Sequence, residues 1–154
     1  MDIHYSDGWF RAKKRPGELW TPDQAKAAYD QRKLFAAIVG PLEKPSAFLE
    51  FNKDYIGVEF LDKLLREYLS YSFQELRPGR LFLSMATHRE FDGDSDKVKK
   101  GTTYIFKQNG NVTIRNAEFP GDGYTKHETT ADVSGNWENY PAFGEYDSLL
   151  RTDR

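Results

Sequence analysis

Between residues 47 and 133 the chain alternates short runs rich in apolar residues with small polar turns. The runs are AFLEF (47–51), YIGVEFL (55–61), EYLSYSF (67–73), RLFLSMATHREF (80–91), GTTYIFK (101–107), NVTIRN (111–116) and TKHETTADV (125–133). Ile56, Val58 and Phe60 alternate with Gly57 and Glu59, and Leu69, Tyr71 and Phe73 repeat the same period of two. That period sends successive side chains to opposite faces of a sheet, so these runs read as strands with one buried face. Strands at such regular spacing predict a mainly β fold, a β-rich α+β chain whose antiparallel β-meander forms a barrel or sandwich. Asn109-Gly110 predicts a type I′ hairpin turn, in which both central residues take positive φ. On that hairpin Tyr104 and Phe106 share a face with Val112 and Ile114. Arg77-Pro78-Gly79 predicts another turn and Gly93-Asp94-Ser95-Asp96 a looser one. Leu61, Leu64, Leu65 and Tyr68 share a helical face, which predicts a single helical turn between two of the strands. The polar run 125–133 suits a sheet edge.

Upstream, Thr21-Pro22-Asp23-Gln24 predicts one N-terminal helix. Thr21 caps, Pro22 suits the first helical position, Gln24 completes a capping box and Asp23 favours the positive end of the helix dipole. Residues 34–39 fit either a continuing helix or a short apolar strand; a helix ending near Lys33 followed by a strand is favoured. Residues 1–20, with Arg11, Lys13, Lys14 and Arg15, read as an irregular basic arm. Residues 134–154 read as an aromatic and acidic tail packed on the sheet. The expectation is a single domain over 1–154, divided into arm (1–20), helix (21–33), meander (34–133) and tail (134–154).

Composition narrows the class. Eleven Phe, nine Tyr and three Trp suit a β-rich core. With no cysteine, disulfides and thiolate chemistry are excluded, which sits easily in a reducing cytoplasm. No apolar run approaches the ~20 residues of a membrane span, and the first residues resemble no secretory signal. A cytoplasmic protein without a membrane partner is expected. Net charge is −2, yet residues 116–154 carry eight Asp or Glu against three Lys or Arg.

Candidate chemistry is sparse. Asp92, Asp94 and Asp96 imitate the opening of a calcium loop, but Lys97 and Thr103 stand where that loop needs Gly and Glu. His88, Glu90 and His127 would make a metal site only if a closed sheet brought their strands together. Glu50 and Glu59 can face each other across adjacent strands, as can many acids among 24. Phosphate-cradling, dinucleotide and nucleophile-elbow motifs are absent. The basic arm with Trp9, Phe10 and Trp20 imitates a nucleic-acid arm, but four cations beside an acidic domain make a weak counterion-release site. No catalytic residue, metal, cofactor or nucleic-acid partner is therefore assigned. The surface singled out for a protein partner is C-terminal: Glu118, Asp122, Glu128, Asp132, Trp137, Glu138, Tyr140, Glu145, Tyr146 and Asp147. Aromatic anchors supply interface energy and a matching field speeds encounter. The alternative account of the same residues is that the rings are core and the acids a solvated rim.

The stretch YIGVEFLDKLLREYLSYSFQELRPGRLFLSMATHREFD, then GTTYIFKQNGNVTIRN and DVSGNWENYPAFGEYDSLLR, resembles small bacterial immunity proteins that accompany polymorphic toxins of the Rhs and contact-dependent inhibition types. The resemblance spans about residues 34 to 151. It implies a non-enzymatic cytoplasmic protein that binds one cognate toxin domain, with a basic active-site cleft, and occludes that active site. It transfers no individual residue, and the basic arm and capped helix lie outside it. Two other classes stay open: a small-ligand-binding, lipocalin-like β-barrel carrier, and a hydrolase with an unrecognised Asp/Glu or His set.

Overall fold

The computed structural model describes residues 2–121 and 123–154. In chain order the elements are β1 (Ile3–Ser6), β2 (Trp9–Phe10), β3 (Arg15–Pro16), β4 (Leu19–Trp20), α1 (Pro22–Asp30), β5 (Phe35–Val39), β6 (Ala47–Asn52), β7 (Tyr55–Leu61), β8 (Glu67–Arg77), β9 (Arg80–Phe91), β10 (Val98–Phe106), β11 (Asn111–Glu118), β12 (Tyr124–Thr130) and β13 (Trp137–Asn139). Ten of them form one antiparallel path, β12-β11-β10-β9-β8-β7-β6-β5-β1-β4, with β13 added to β9 and β2–β3 a separate hairpin. The fold is a mainly β antiparallel meander with one α-helix. The predicted closure into a barrel does not occur, because β12 and β4 end the path without pairing to each other.

β9 changes partner along its length. Phe82, Leu81 and Arg80 pair with Trp137, Glu138 and Asn139 of β13, whereas Met85 to Phe91 pair with β10. The tail strand therefore takes the hydrogen-bonding edge at one end of β9, and β10–β12 leave the body as a three-stranded wing.

The capping box forms as predicted. Thr21 Oγ1 accepts from the Gln24 amide (3.2 Å) and Gln24 Oε1 accepts from the Thr21 amide (2.8 Å). Because α1 has only nine residues, its end contributes a large share of its stability. Thr21→Ala is expected to cost about 1 kcal/mol, read as a shift in the midpoint of urea unfolding.

Of residues 34–39, Phe35–Val39 form the strand and Leu34 stays outside it, exposed. Every residue of β5 is buried, and β5 lies between β1 and β6 with both faces covered. A strand buried on both faces carries an unbroken apolar run, which is why its pattern also fitted a helix. One face packs Phe35 on Phe51 (ring centroids 4.5 Å) with Leu49, Val58 and Phe73, under Ala25 and Ala28 of α1. The tail covers the same core: Tyr146 and Leu149 have no exposure, and Phe143 stacks on Tyr5 at 5.0 Å. On the opposite face Trp9 stacks on Phe48 at 4.7 Å, over Ala36, Ile38 and Leu61.

Three local expectations are corrected. Residues 1–20 are not an irregular arm: β1 pairs with β5 from Ile3↔Val39 to Ser6↔Ala36, and β4 extends the sheet beyond it. The 108–110 turn is not type I′, since Gly110 takes positive φ (+92°) and Asn109 does not. Gly110 N donates to Lys107 O (3.0 Å), Lys107 N donates to Asn111 O (3.0 Å), and Asn109 Oδ1 accepts from Asn111 N (2.9 Å). That is a three-residue loop with the left-handed position at its end. Between β7 and β8 the predicted helical turn gives way to a tight loop. Asp62 Oδ1 accepts from the amides of Leu64 (2.9 Å) and Arg66 (3.0 Å), and Leu65 at φ +60° cannot continue a right-handed helix.

Candidate functional site

The wing bears a concave groove on the face that continues the main core. Registers align Tyr71, Ala86, Tyr104, Ile114 and His127 in one row from β8 to β12. Phe106, Val112 and Thr129 form the next row. Alternation along each strand sends both rows to the same side. Over the body this side is covered by α1 and the tail, while over the wing it stays open. The groove encloses about 680 Å³, floored by Leu69, Tyr71, Tyr104, Phe106, Val112 and Ile114. Tyr104 and Phe106 stack with centroids 6.3 Å apart, and Tyr104 is 38% exposed. Asp132, Asn136 and Arg154 form part of the polar wall. The Arg154 guanidinium sits 5.2 Å from the Phe73 centroid and 6.0 Å from that of Tyr71, is paired with Glu138, and donates to Ser148 O at 2.8 Å.

A second cluster lies on the other side of the sheet, beneath the β2–β3 hairpin. Arg11, in the turn that follows β2, donates from Nη2 to Glu50 (2.8 Å) and from Nε to Glu67 Oε1 (3.4 Å). Ser70 donates to Glu59, while Arg89 donates to Ser70 Oγ (2.8 Å) and to Glu67 O (3.2 Å). Arg11 thus bridges the Glu50 and Glu67 carboxylates, Arg89 reaches Glu59 only through Ser70, and Glu59 holds its proton to about pH 7. Burial is the main cause; the Ser70 hydrogen bond opposes it and the Glu67 charge adds to it. A carboxyl that titrates near neutrality is suited to acid–base chemistry. The adjoining cavity of about 360 Å³, however, is lined by Trp9, Arg11, Lys14, Glu67 and Arg89, not by Glu59. Glu59 and Ser70 sit behind that lining.

The basic arm does not present its cations as a stripe. Arg11 is spent on Glu50 and Glu67, and Lys14 pairs with Asp96 at 2.6 Å, so the acidic 92–96 loop serves as its counterion. His88 and His127 lie on β9 and β12, three strand spacings or roughly 14 Å apart. Among the described residues no group of three or more His, Asp or Glu is placed to hold a metal ion. Nor, among them, is any helix long and apolar enough to cross a membrane.

The residues singled out in the C-terminal quarter do not form one surface. Asp122 lies outside the described residues. Tyr146 is corrected from surface to core: its ring is fully buried and its hydroxyl meets that of Tyr5 at 3.1 Å. Tyr140 is half-buried under the Arg32 guanidinium (3.7 Å), and Trp137 packs on Phe82 (5.0 Å) with Arg77 over its ring (4.9 Å). Glu138 is committed to Arg151 and Arg154. Glu118, Glu128, Asp132, Glu145 and Asp147 are exposed. Glu128 is held below the usual carboxylate range by the Thr113 hydroxyl and by Lys126, and Asp132 likewise by the Ser134 amide it caps. Glu118 and Asp132 stand at opposite ends of the β11–β12 ladder, which runs from Ala117↔Tyr124 to Asn111↔Thr130, on the order of 20 Å. Sequence reasoning placed Tyr104, Phe106, Val112 and Ile114 on one face but did not read that face as a site. It weighed Glu50 with Glu59 and missed Glu67, Arg11 and Arg89. No protein-family model matches the chain, and neither a curated protein nor a solved structure matches it.

Proposed function

We propose that the chain is a non-enzymatic inhibitor of the immunity type, which docks a cognate toxin domain on the concave side of its wing and so covers the toxin's active site. The observation that carries the reading is the aromatic groove on β8–β12: it sits on a continuous sheet in register with a buried core, and Tyr104 at its floor is left exposed. Rigid aromatic side chains in a concave site are the usual anchors of a tight protein interface. Asp132 at the groove wall puts exposed negative charge beside those anchors, which suits a basic cleft and speeds encounter. The proposed contact set thus moves from the tail to the wing, with Tyr104 at its centre and Asp132 at its rim.

The test is co-purification and titration calorimetry with the toxin domain encoded beside it, together with protection of cells that express that toxin. Tyr104→Arg is expected to weaken binding at least about 30-fold, equivalent to roughly 2 kcal/mol at a hot spot, with the thermal midpoint held within about 2 °C of wild type. Unchanged affinity would remove the groove from the interface. Failure both to bind and to protect would remove the immunity reading itself. The groove volume also falls within the range of small-ligand pockets; a stoichiometric apolar molecule extracted from the purified chain would favour a carrier with an open groove in place of the lipocalin-like barrel.

A further inference from the structure

We propose that β12 pairs with β12 of a second copy of this chain, antiparallel about a two-fold axis at His127, so that Lys126 of each copy faces Glu128 of the other. Among the described residues the sheet has three free edges, and two are short: β4 has two residues and β13 three. Short edges are one of the ordinary ways in which a protein blocks unwanted strand addition. The third edge lacks that protection. β12 is seven residues long, exposed throughout, without proline, and paired to β11 from Asn111↔Thr130 to Ala117↔Tyr124 with no shift in register. One side of its backbone is therefore an unused row of donors and acceptors.

The occupant follows from the order of side chains. Around His127 the strand reads Thr125-Lys126-His127-Glu128-Thr129. Reversed through His127, threonine falls on threonine and each charge falls on its opposite. Directly opposed residues on an antiparallel pair interact most strongly, and opposite charges there are favourable where like charges repel. Lys126 alone would mark a guarded edge. Lys126 with Glu128 two residues on, at 3.3 Å within one strand, makes the edge complementary to itself. An isologous contact of this kind closes at two copies and does not propagate. The axis runs perpendicular to the sheet, so the two wings join as six strands with both grooves on the same side. This proposal is independent of the toxin reading, since it uses only the edge of β12 and not the groove floor.

The experiment is sedimentation equilibrium on the full chain from 5 µM to 1 mM, with hydrogen exchange at the β12 amides. A seven-residue ladder is a small interface, so wild type is expected to dimerise with a dissociation constant on the order of 10–100 µM. Lys126→Glu and Glu128→Lys should each weaken the dimer at least tenfold, and the double variant K126E/E128K should restore it to within about threefold. Thermal midpoints within 2 °C of wild type will show that the exposed substitutions leave the fold intact. A monomer at 1 mM overturns the proposal. So does a dimer indifferent to the single charge reversals, which must use another surface. Amide protection of β12 that appears only on addition of a toxin domain also overturns it, and gives the edge to a foreign strand.

Discussion

Between pH 5 and pH 8 the folded chain is expected to lose about 2–3 kcal/mol of stability through Glu59 alone, and Glu59→Gln should abolish that loss. The carboxyl lies under the β2–β3 hairpin, and its pKa rises from 4.5 to about 7 in the fold. In that interval the folded state holds a proton that the unfolded chain releases, so stability falls as pH rises. The proton-linked contribution is complete below pH 4.5 and gone above about 7. The full difference corresponds to about 3 kcal/mol, and solvent relaxation around a partly buried group lowers it. Other acids work in the opposite sense and in another window. Burial raises Glu75 and Asp62, but hydrogen bonds from Arg32 to Glu75, and from Arg66 and Leu64 to Asp62, outweigh it and leave both below their ordinary values. Their contribution is lost only as pH falls below about 4. Urea unfolding at pH 5, 6, 7 and 8 therefore isolates Glu59. A glutamine there can still accept from Ser70 and donate towards Glu67 without carrying charge. The variant should match wild type near pH 5 and exceed it by about 2 kcal/mol at pH 8. A flat wild-type profile, or a variant that follows the wild-type slope, would show that Glu59 ionises normally.

The same residue marks where sequence reasoning stops. Glu59 sits on the polar side of a clean alternation, Ile56-Val58-Phe60, and alternation assigns that side to solvent. Its burial comes from a hairpin some fifty residues upstream, which stacks Trp9 on Phe48 and lays Arg11 across the carboxylates. Strand positions 55–61 and 80–91 agree between sequence and structure because each run is long, periodic and bounded by its own turn signals. Strands β1 to β4 were missed for the converse reason. They hold two to four residues each, and β1 gains its stability from a long-range pairing with β5 that leaves no local trace. The open path was not legible either: β12 and β4 end it without pairing, and the tail strand β13 pairs with the end of β9 across a long sequence separation. The groove was half legible. The shared face of Tyr104, Phe106, Val112 and Ile114 follows from alternation around the 108–110 turn, but its openness follows from where α1 and the tail stop.

Replacement of Tyr146 separates the two accounts of the tail. If its ring were an interface anchor, Tyr146→Ala would lose affinity and keep its fold. The buried position dictates the reverse: a loss of about 3–5 kcal/mol in unfolding free energy. The ring packs 5.3 Å from Phe51, and its neighbour in the tail, Leu149, is equally buried, so truncation opens a cavity between tail and sheet. It also strands the Tyr5 hydroxyl, whose hydrogen bond to Tyr146 is made inside the core. Burial pushes both phenols above their ordinary pKa, so they stay neutral and serve as hydrogen-bonding groups at physiological pH. Tyr146→Phe keeps the ring and removes one hydroxyl, which should cost about 1–2 kcal/mol. Against a total of roughly 5–15 kcal/mol for a domain of this size, the alanine change alone removes about a fifth of the stability or more. Calorimetric unfolding of the two variants gives the order Ala well below Phe, and Phe below wild type. An alanine variant within 1 kcal/mol of wild type would mean that the tail is not part of the core, and would return Tyr146 to the surface.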